Sequence, residues 1–168
     1  MNSNKLKEME QNLAIFKEKL NDVIEEIGNK EILIGQKEIL KYCELLNDEN
    51  KLYFDEQIAN QFGFDGPVIP PSYIMNITNP VMQILFIRIG QDFFQGLVKG
   101  VIHVSSIVNY YVPMLLNKRY KIKVEATNPV LRMGTKGKYY SVIIKLSILS
   151  EDMKYTYATD DHEFFFKI

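Results

Sequence analysis

A chain of 168 residues with 46% hydrophobic and 24% charged residues has the size and composition of one globular domain able to bury a substantial core. Its formal net charge of −1 offers no general attraction for nucleic acid or an anionic membrane, so neither is expected as a partner. Cys43 is the sole cysteine, which excludes an intrachain disulfide framework, and the longest apolar run, Val81 to Ile89, is too short to span a bilayer. The opening M-N-S-N-K-L-K-E-M-E-Q lacks the apolar stretch of a secretory signal, so the expected location is the cytoplasm.

Residues 4–27 carry Leu6, Met9, Leu13, Phe16, Leu20, Val23 and Ile27 at alternating steps of three and four, with charged residues on the remaining faces. That spacing predicts a helix with one apolar stripe, stopped by Gly28-Asn29. Burying such a stripe is worth about 10–20 kcal/mol gross, before ordering entropy, so the helix does not stand alone in solvent. Two placements satisfy it: over its own domain, or as a seam between subunits. The chain thus divides into a helix over residues 1–28 and a main domain over residues 29–168. A short strand follows from Glu31 to Ile34, then a helix from Gln36 to Leu46 with Ile39, Leu40, Cys43 and Leu46 on its inner face. Cys43 on that stripe reads as a packed small hydrophobe, since no histidine lies near it in sequence to lower its pKa.

Asn47 to Ser72 is dense in punctuation. Asp48 to Asn50 is turn chemistry, because Asp and Asn bond their own backbone. Asp55 suits a helix N-cap, with Ile58, Ala59 and Phe62 on the face that follows and Gly63 as the stop. Gly66-Pro67 makes a second turn, and Pro70-Pro71 holds the backbone extended before the apolar segment from Tyr73 to Ile89. Length favours a helix there, buried on all sides and kinked or divided at Asn79-Pro80.

From Val98 the period becomes two. One face of a long strand takes Ile102, Val104, Ser106, Val108, Tyr110 and Val112, which leaves His103 with Ser105 and Asn109 on the mixed face in a hydrogen-bonded structural role. Tyr120, Ile122, Val124 and Ala126 alternate in a second strand, and Tyr140, Val142, Ile144, Leu146 and Ile148 in a third after a turn at Gly134 to Gly137. A last strand runs from about Tyr155 to Ile168, with a bulge near Asp160-Asp161. Adjacent residues on a strand project to opposite faces, so Asp160-Asp161-His162 reads as a solvated strand end rather than a metal site. The order is α+β: an antiparallel sheet around one hydrophobic helix, preceded by an extra amphipathic helix. No Gly-rich phosphate loop or zinc-ligand spacing appears, and no cofactor or metal is expected.

The run L-N-D-E-N-K-L-Y-F-D-E-Q-I-A, followed by F-D-G-P-V-I-P-P-S-Y, resembles the MaoC-like acyl-thioester dehydratases and hydratases of the hot-dog fold. Within these it is most similar to the branch related to a fatty-acid-synthase dehydratase half. The resemblance extends from about residue 30 to the C-terminus, with I-H-V-S-S-I-V-N-Y-Y-V-P in the place of the family's first long strand. It implies addition or removal of water across a 2-enoyl or (3R)-hydroxyacyl thioester. An Asp and a His in a D-x-N-P-x-H turn activate the water, and a backbone N–H at the start of the central helix polarises the thioester carbonyl. Carried onto this chain, the Asp is Asp48, the Asn is Asn50, the Pro is Lys51, the His is Tyr53 and the helix-starting Gly is Pro71.

Two departures matter. A phenol with a reference pKa near 10 is a poor base at neutral pH, and proline has no backbone N–H to donate. Asp48 and Tyr53 are therefore the candidate catalytic pair in altered form, with Asn50, Pro71, Ser72, Tyr73, Met75 and His103 as candidate substrate contacts. The resemblance implies an acyl-CoA or acyl-carrier-protein thioester as ligand. It also implies a homodimer, or a heterodimer in which another hot-dog chain supplies the complete Asp/His turn. Arg88, Lys99, Lys118 and Arg119 are available for phosphates of coenzyme A or an acidic carrier, or as ordinary solvated charge. The main expectation is a catalytically degenerate acyl-binding subunit. The alternatives are a self-sufficient hydratase with altered residues and a non-catalytic acyl-thioester-binding or assembly protein. Thioesterase activity is disfavoured, because Ser72 to Phe86 contains no carboxylate.

Overall fold

The period-two segments become one antiparallel sheet. In the computed structural model, residues 3–93, 96–135 and 137–168 are described. The elements are α1 (Ser3–Ile27), β1 (Lys30–Leu33), α2 (Gln36–Leu46), α3 (Glu56–Gln61), α4 (Ile74–Phe93), β2 (Gly100–Tyr110), β3 (Arg119–Ala126), β4 (Val130–Gly134), β5 (Gly137–Ser150) and β6 (Thr156–Lys167). Strands neighbour one another in the order β1-β3-β5-β6-β2, and β4 pairs with β5 off that path. β4 is absent from the expected strand set. It succeeds β3 along the same flank of β5: Tyr120 to Ala126 face Ser150 to Ile144, and Val130 to Gly134 face Ser141 to Gly137. Pro129, which has no N–H to give a ladder, separates the two.

Alternation puts the large side chains where expected on β3 and β5. Tyr120, Ile122, Val124, Tyr140, Val142, Ile144, Leu146 and Ile148 are all buried and share one core with Ile74, Ile77, Val81, Leu85 and Ile89 of α4. α4 runs as a single helix with Pro80 inside it, not as two helices meeting there. Nor is it covered all round: Ile84 and Ile87 are 42% and 60% exposed, because the sheet wraps one side only. Leu40, Leu46 and Phe62, expected on inner faces, are likewise exposed, which leaves Ile39, Cys43 and Ala59 as the buried contributions of α2 and α3. Among the described residues no helix is long and apolar enough to cross a membrane.

The N-terminal stripe packs on its own domain. Phe16, Leu20, Val23 and Ile27 are buried in the common core and Leu13 packs against it; the side chains of Leu6 and Met9 lie outside the described residues. The Phe16 ring centroid is 4.9 Å from that of Tyr140 and 5.0 Å from that of Phe166. Such tilted and edge-on pairs add to simple area burial.

The sequence places the irregularity of the last strand pair at Asp160-Asp161. The slips lie elsewhere: Tyr157 of β6 is the extra residue opposite Ile148 and Leu149 of β5, and the β2–β6 pair slips within β2. Register along β6 is continuous from Ala158 to Phe166, while β2 slips between His103 and Ser105, so Val104 is the extra residue. One inserted residue exchanges the faces beyond it. His103 therefore lies opposite Phe164 on the same inner face as Ser106, opposite His162, and Val108, opposite Asp160. Ile102, Val104 and Ile107 are turned outward, at 48%, 43% and 59% exposure. Inward-facing polar residues at 160 and 162 had looked like a break in the alternation; they continue it.

Candidate functional site

The Asp48–Tyr53 turn is built by its own side chains. The Asn50 backbone N–H donates to Asp48 Oδ1 (3.1 Å), and the Leu52 N–H donates to Asn50 Oδ1 (3.1 Å), which caps the 3-10 turn of Lys51–Tyr53. Asp55 Oδ1 then accepts from the N–H groups of Gln57 (2.9 Å) and Ile58 (3.1 Å) and caps α3. These are the local bonds that Asp and Asn favour in turns and at N-caps. The Tyr53 ring is half-buried. Burial pushes its hydroxyl above the usual phenol value, the Asp48 carboxylate adds to the rise, and a hydrogen bond with Asn50 offsets part of it.

Tyr53 and Pro71 meet in one apolar cavity of about 320 Å³, with Leu52, Ile74, Tyr110 and Met114 also on its wall. At its rim the Tyr110 hydroxyl donates to the Pro71 carbonyl oxygen (2.6 Å), which also accepts from the Ile74 N–H. Pro71 has no N–H to offer the cavity, and its carbonyl oxygen is already occupied by these two donors. Asp48 is not on that wall. It faces a separate shallow depression with Cys43, Asn47, Lys51 and Phe54. Ser72 is exposed beside Pro71, and Met75 is packed against the core. Tyr73 stands edge-on to Tyr42, ring centroids 4.9 Å apart, and lines a different groove with Ile34 and Ile77. Two of the four candidate cations are engaged in ion pairs, Arg88 with Glu26 and Arg119 with Glu31.

A second polar cluster, not anticipated as a unit, lies between α4 and the β2–β6 edge. Asp160 is fully buried and accepts from Ser106 Oγ (2.7 Å) at one carboxylate oxygen and from Thr78 Oγ1 (2.7 Å) at the other. His162, 3% exposed, brings Nε2 to 2.9 Å from Asp160 Oδ2. That approach is not a well-aligned hydrogen bond, and it is an ion pair only when the imidazole is protonated. On the other side of the ring, His162 Nδ1 is 3.2 Å from His103 Nε2, and the His103 ring stacks on Phe164 at 4.8 Å and 25°. Burial alone would raise the Asp160 carboxyl. The close polar approach of His162 and the hydrogen bonds from Ser106 and Thr78 outweigh it and hold the group below the usual carboxylate value, so it is ionised at neutral pH. A sequence signal was available: residues 160 and 162 share a strand face although 160 and 161 do not. The solvated-strand-end reading of Asp160 and His162 is therefore corrected, and so is the placing of His103 on the face of Ser105 and Asn109.

The two sites differ in what they can do. The turn and its cavity offer apolar surface, a neutral phenol and a carbonyl, which suits holding an acyl chain and not moving a proton. The second cluster offers an ionised carboxylate coupled to two imidazoles.

Comparison with known proteins gives three results. The model of the family described as FAS1-like, dehydratase domain region matches residues 22–125. A search of curated protein sequences finds no significant match. Among solved structures, the (R)-hydratase from A. caviae involved in PHA biosynthesis is 15% identical, with a TM-score of 0.58 over 81% of this chain and 90% of that one. The ChsH1-ChsH2 complex from Mycobacterium tuberculosis is 17% identical, with a TM-score of 0.62 over 88% of this chain and 90% of the matched one. The truncated HadBC (3R-hydroxyacyl-ACP dehydratase) complex, also from M. tuberculosis, is 15% identical, with a TM-score of 0.59 over 81% and 90%. At these identities the likeness is one of fold, and the fold is the hot-dog arrangement of a sheet around a central helix.

Proposed function

This chain belongs to the FAS1-like dehydratase domain region family, and on that premise we propose that it is the acyl-binding, catalytically degenerate subunit of a (3R)-hydroxyacyl-thioester dehydratase or enoyl-thioester hydratase. The observation that carries this reading is the pairing of Tyr53 with Pro71 on one apolar cavity. The hydratase turn needs a base near neutral pKa and an amide donor aimed at the thioester oxygen. Here the base position holds a phenol whose pKa is raised, and the donor position holds a proline nitrogen with no hydrogen to give, beside a Pro71 carbonyl oxygen already bonded to Tyr110. What remains is a cavity of a size and polarity that fit an acyl chain, with Asp48 outside it.

The missing groups come from a second hot-dog chain in this reading. Support for a partner is the long edge strand β2, which leaves Ile102, Val104 and Ile107 exposed, together with the uncovered Ile84 and Ile87 of α4. Among the described residues this eleven-residue strand has no neighbour on its outer side, and an edge that exposes such apolar side chains is an unusual surface to leave in water. The test is calorimetric titration with a short enoyl-CoA, followed by hydration assays with and without a hot-dog chain that carries the complete Asp/His turn. Binding by this chain alone, with enzyme-like turnover only in the mixture, is the expected result. Failure to bind any acyl-CoA or acyl-carrier-protein thioester, alone or in the mixture, refutes the reading.

A further inference from the structure

We propose that Asp160, His162 and His103 form an acid–base relay, and that its working atom, His103 Nδ1, exchanges the proton α to the carbonyl of an acyl thioester seated between α4 and the β2–β6 edge. For its substrate class alone this rests on the function proposed above; the relay itself stands on the geometry of the cluster.

The proton inventory follows from the contacts. Thr78 and Ser106 donate hydroxyl hydrogens to the two oxygens of Asp160, which leaves the carboxylate ionised. The His162 nitrogen 2.9 Å from that anion is the one favoured to carry hydrogen, so Nδ1 on the far side of the ring is the acceptor. The 3.2 Å contact between the imidazoles needs one hydrogen, which His103 Nε2 then supplies. His103 Nδ1 is left with its lone pair. A proton arriving there makes an imidazolium whose opposite N–H already points along His162 toward the buried anion. No group has to turn for the charge to be accommodated, which is the condition for electrostatic help during a reaction.

The cluster is poorly explained as stabilisation. A buried carboxylate with an imidazole is commonly no better than well-packed apolar residues in the same volume. Three further features aim it at a ligand. His103 is exposed where Asp160 and His162 are not, so the chain has an inner and an outer end. Its ring orientation is fixed by stacking on Phe164. And both histidines lie on the wall of a cavity of about 370 Å³, shared with Asn79, Gln83, Met82 and Phe86 of α4. Asn79 and Gln83 stand four residues apart, one helical turn, so both amides can serve one carbonyl oxygen. Met82 and Phe86 offer the apolar surface an alkyl chain takes.

The step balances without a co-reactant. The C2 proton moves to His103 Nδ1, and the C–H electron pair becomes the enolate π bond. Negative charge goes to the thioester oxygen beside the amides, and a solvent-derived proton returns from Nδ1 to C2. Full-length protein is incubated with butyryl-CoA in D2O, and deuterium at C2 is read by mass spectrometry, with butyryl-CoA affinity and melting temperature measured in parallel. The expected result is wash-in that falls at least tenfold in His103→Gln at unchanged affinity and melting temperature. In Asp160→Asn it should fall as well, with the pH profile of exchange shifted downward because the imidazolium loses its anion. Wild-type wash-in retained in His103→Gln overturns the relay, and so does binding without any wash-in; neither touches the acyl-binding reading. Absence of butyryl-CoA binding counts against that reading instead. The relay is then decided by nitrogen NMR of the imidazoles: a hydrogen-bonded His103 Nε2–H with a bare Nδ1 supports it, and two histidines titrating independently refute it.

Discussion

Replacing Phe16 by alanine tests whether α1 is part of the core or an appendage. Phe16 is 0% exposed and sits between the rings of Tyr140 and Phe166, at 4.9 and 5.0 Å. A buried Phe→Ala change costs about 3–5 kcal/mol, and because the Phe16 ring meets two others at once, one tilted and one edge-on, this site belongs in the upper part of that range. For a domain of this length each kcal/mol lowers the melting temperature by about 2–4 °C, so a loss of about 4 kcal/mol corresponds to roughly 8–16 °C. Circular dichroism melts of wild type, Phe16→Ala and Ile15→Ala measure it. Ile15, the neighbouring residue at 41% exposure, should change stability by about 0.5 kcal/mol or less. A Phe16→Ala shift no larger than that of Ile15→Ala would refute the placement of the apolar stripe in the sheet's own core. Deleting residues 1–27 should go further and leave an aggregating product, since Tyr140 and Phe166 lose their cover; a soluble product of unchanged oligomer size would contradict this.

Three other outcomes follow from buried polar groups. The Tyr120 hydroxyl donates to the Leu115 carbonyl (2.8 Å) and accepts from the Leu115 N–H (2.7 Å), with burial pushing its pKa to about 12. Tyr120→Phe leaves both Leu115 groups without that partner and should cost about 1–3 kcal/mol in denaturant melts. Asp160 has a folded pKa below its unfolded value, so its stabilisation is fully present above the unfolded value near 4 and is lost as pH falls through the folded one. Below pH 5 the melting-temperature advantage of wild type over Asp160→Asn should accordingly shrink as the buffer is made more acidic; an advantage that grows over that range would be wrong in sign. Cys43 is buried, and burial followed by the nearby Asp48 charge raises its thiol pKa. It should react with a thiol reagent only on unfolding, which a reaction trace in native buffer and in denaturant checks.

Much of the fold was legible because it is periodic. The alternating sets on β3 and β5, the span of α2, the Asp55 cap and the α1 stripe each declare themselves through spacing or a single capping residue. What failed to show was relational. Ile84 and Ile87 are apolar, but whether a helix is covered on one side or two depends on where the sheet ends. The slip at Val104 has no signature among V-I-H-V-S-S, yet it decides which way His103 points. Asp160 and His162 read as interruptions because hydropathy counts them as polar; their burial is made possible by Thr78, 82 residues away in the chain, and by Ser106. The turn at Asp48 to Tyr53 was the opposite case, visible as a motif, while the separation of Asp48 from the Tyr53 cavity is set by how the turn packs in three dimensions.

Steady-state hydration of a short enoyl-CoA by purified wild type and by Asp48→Ala, side by side and without any second chain, bears most directly on the proposal that the Asp48–Tyr53 turn does not catalyse. Both proteins should fall well below the turnover of about 1 s⁻¹ that marks the slow end of ordinary enzymes, and should not differ from each other. Enzyme-like turnover by wild type that Asp48→Ala abolishes would mean that a phenol and a proline sustain the reaction after all, and the account would be wrong.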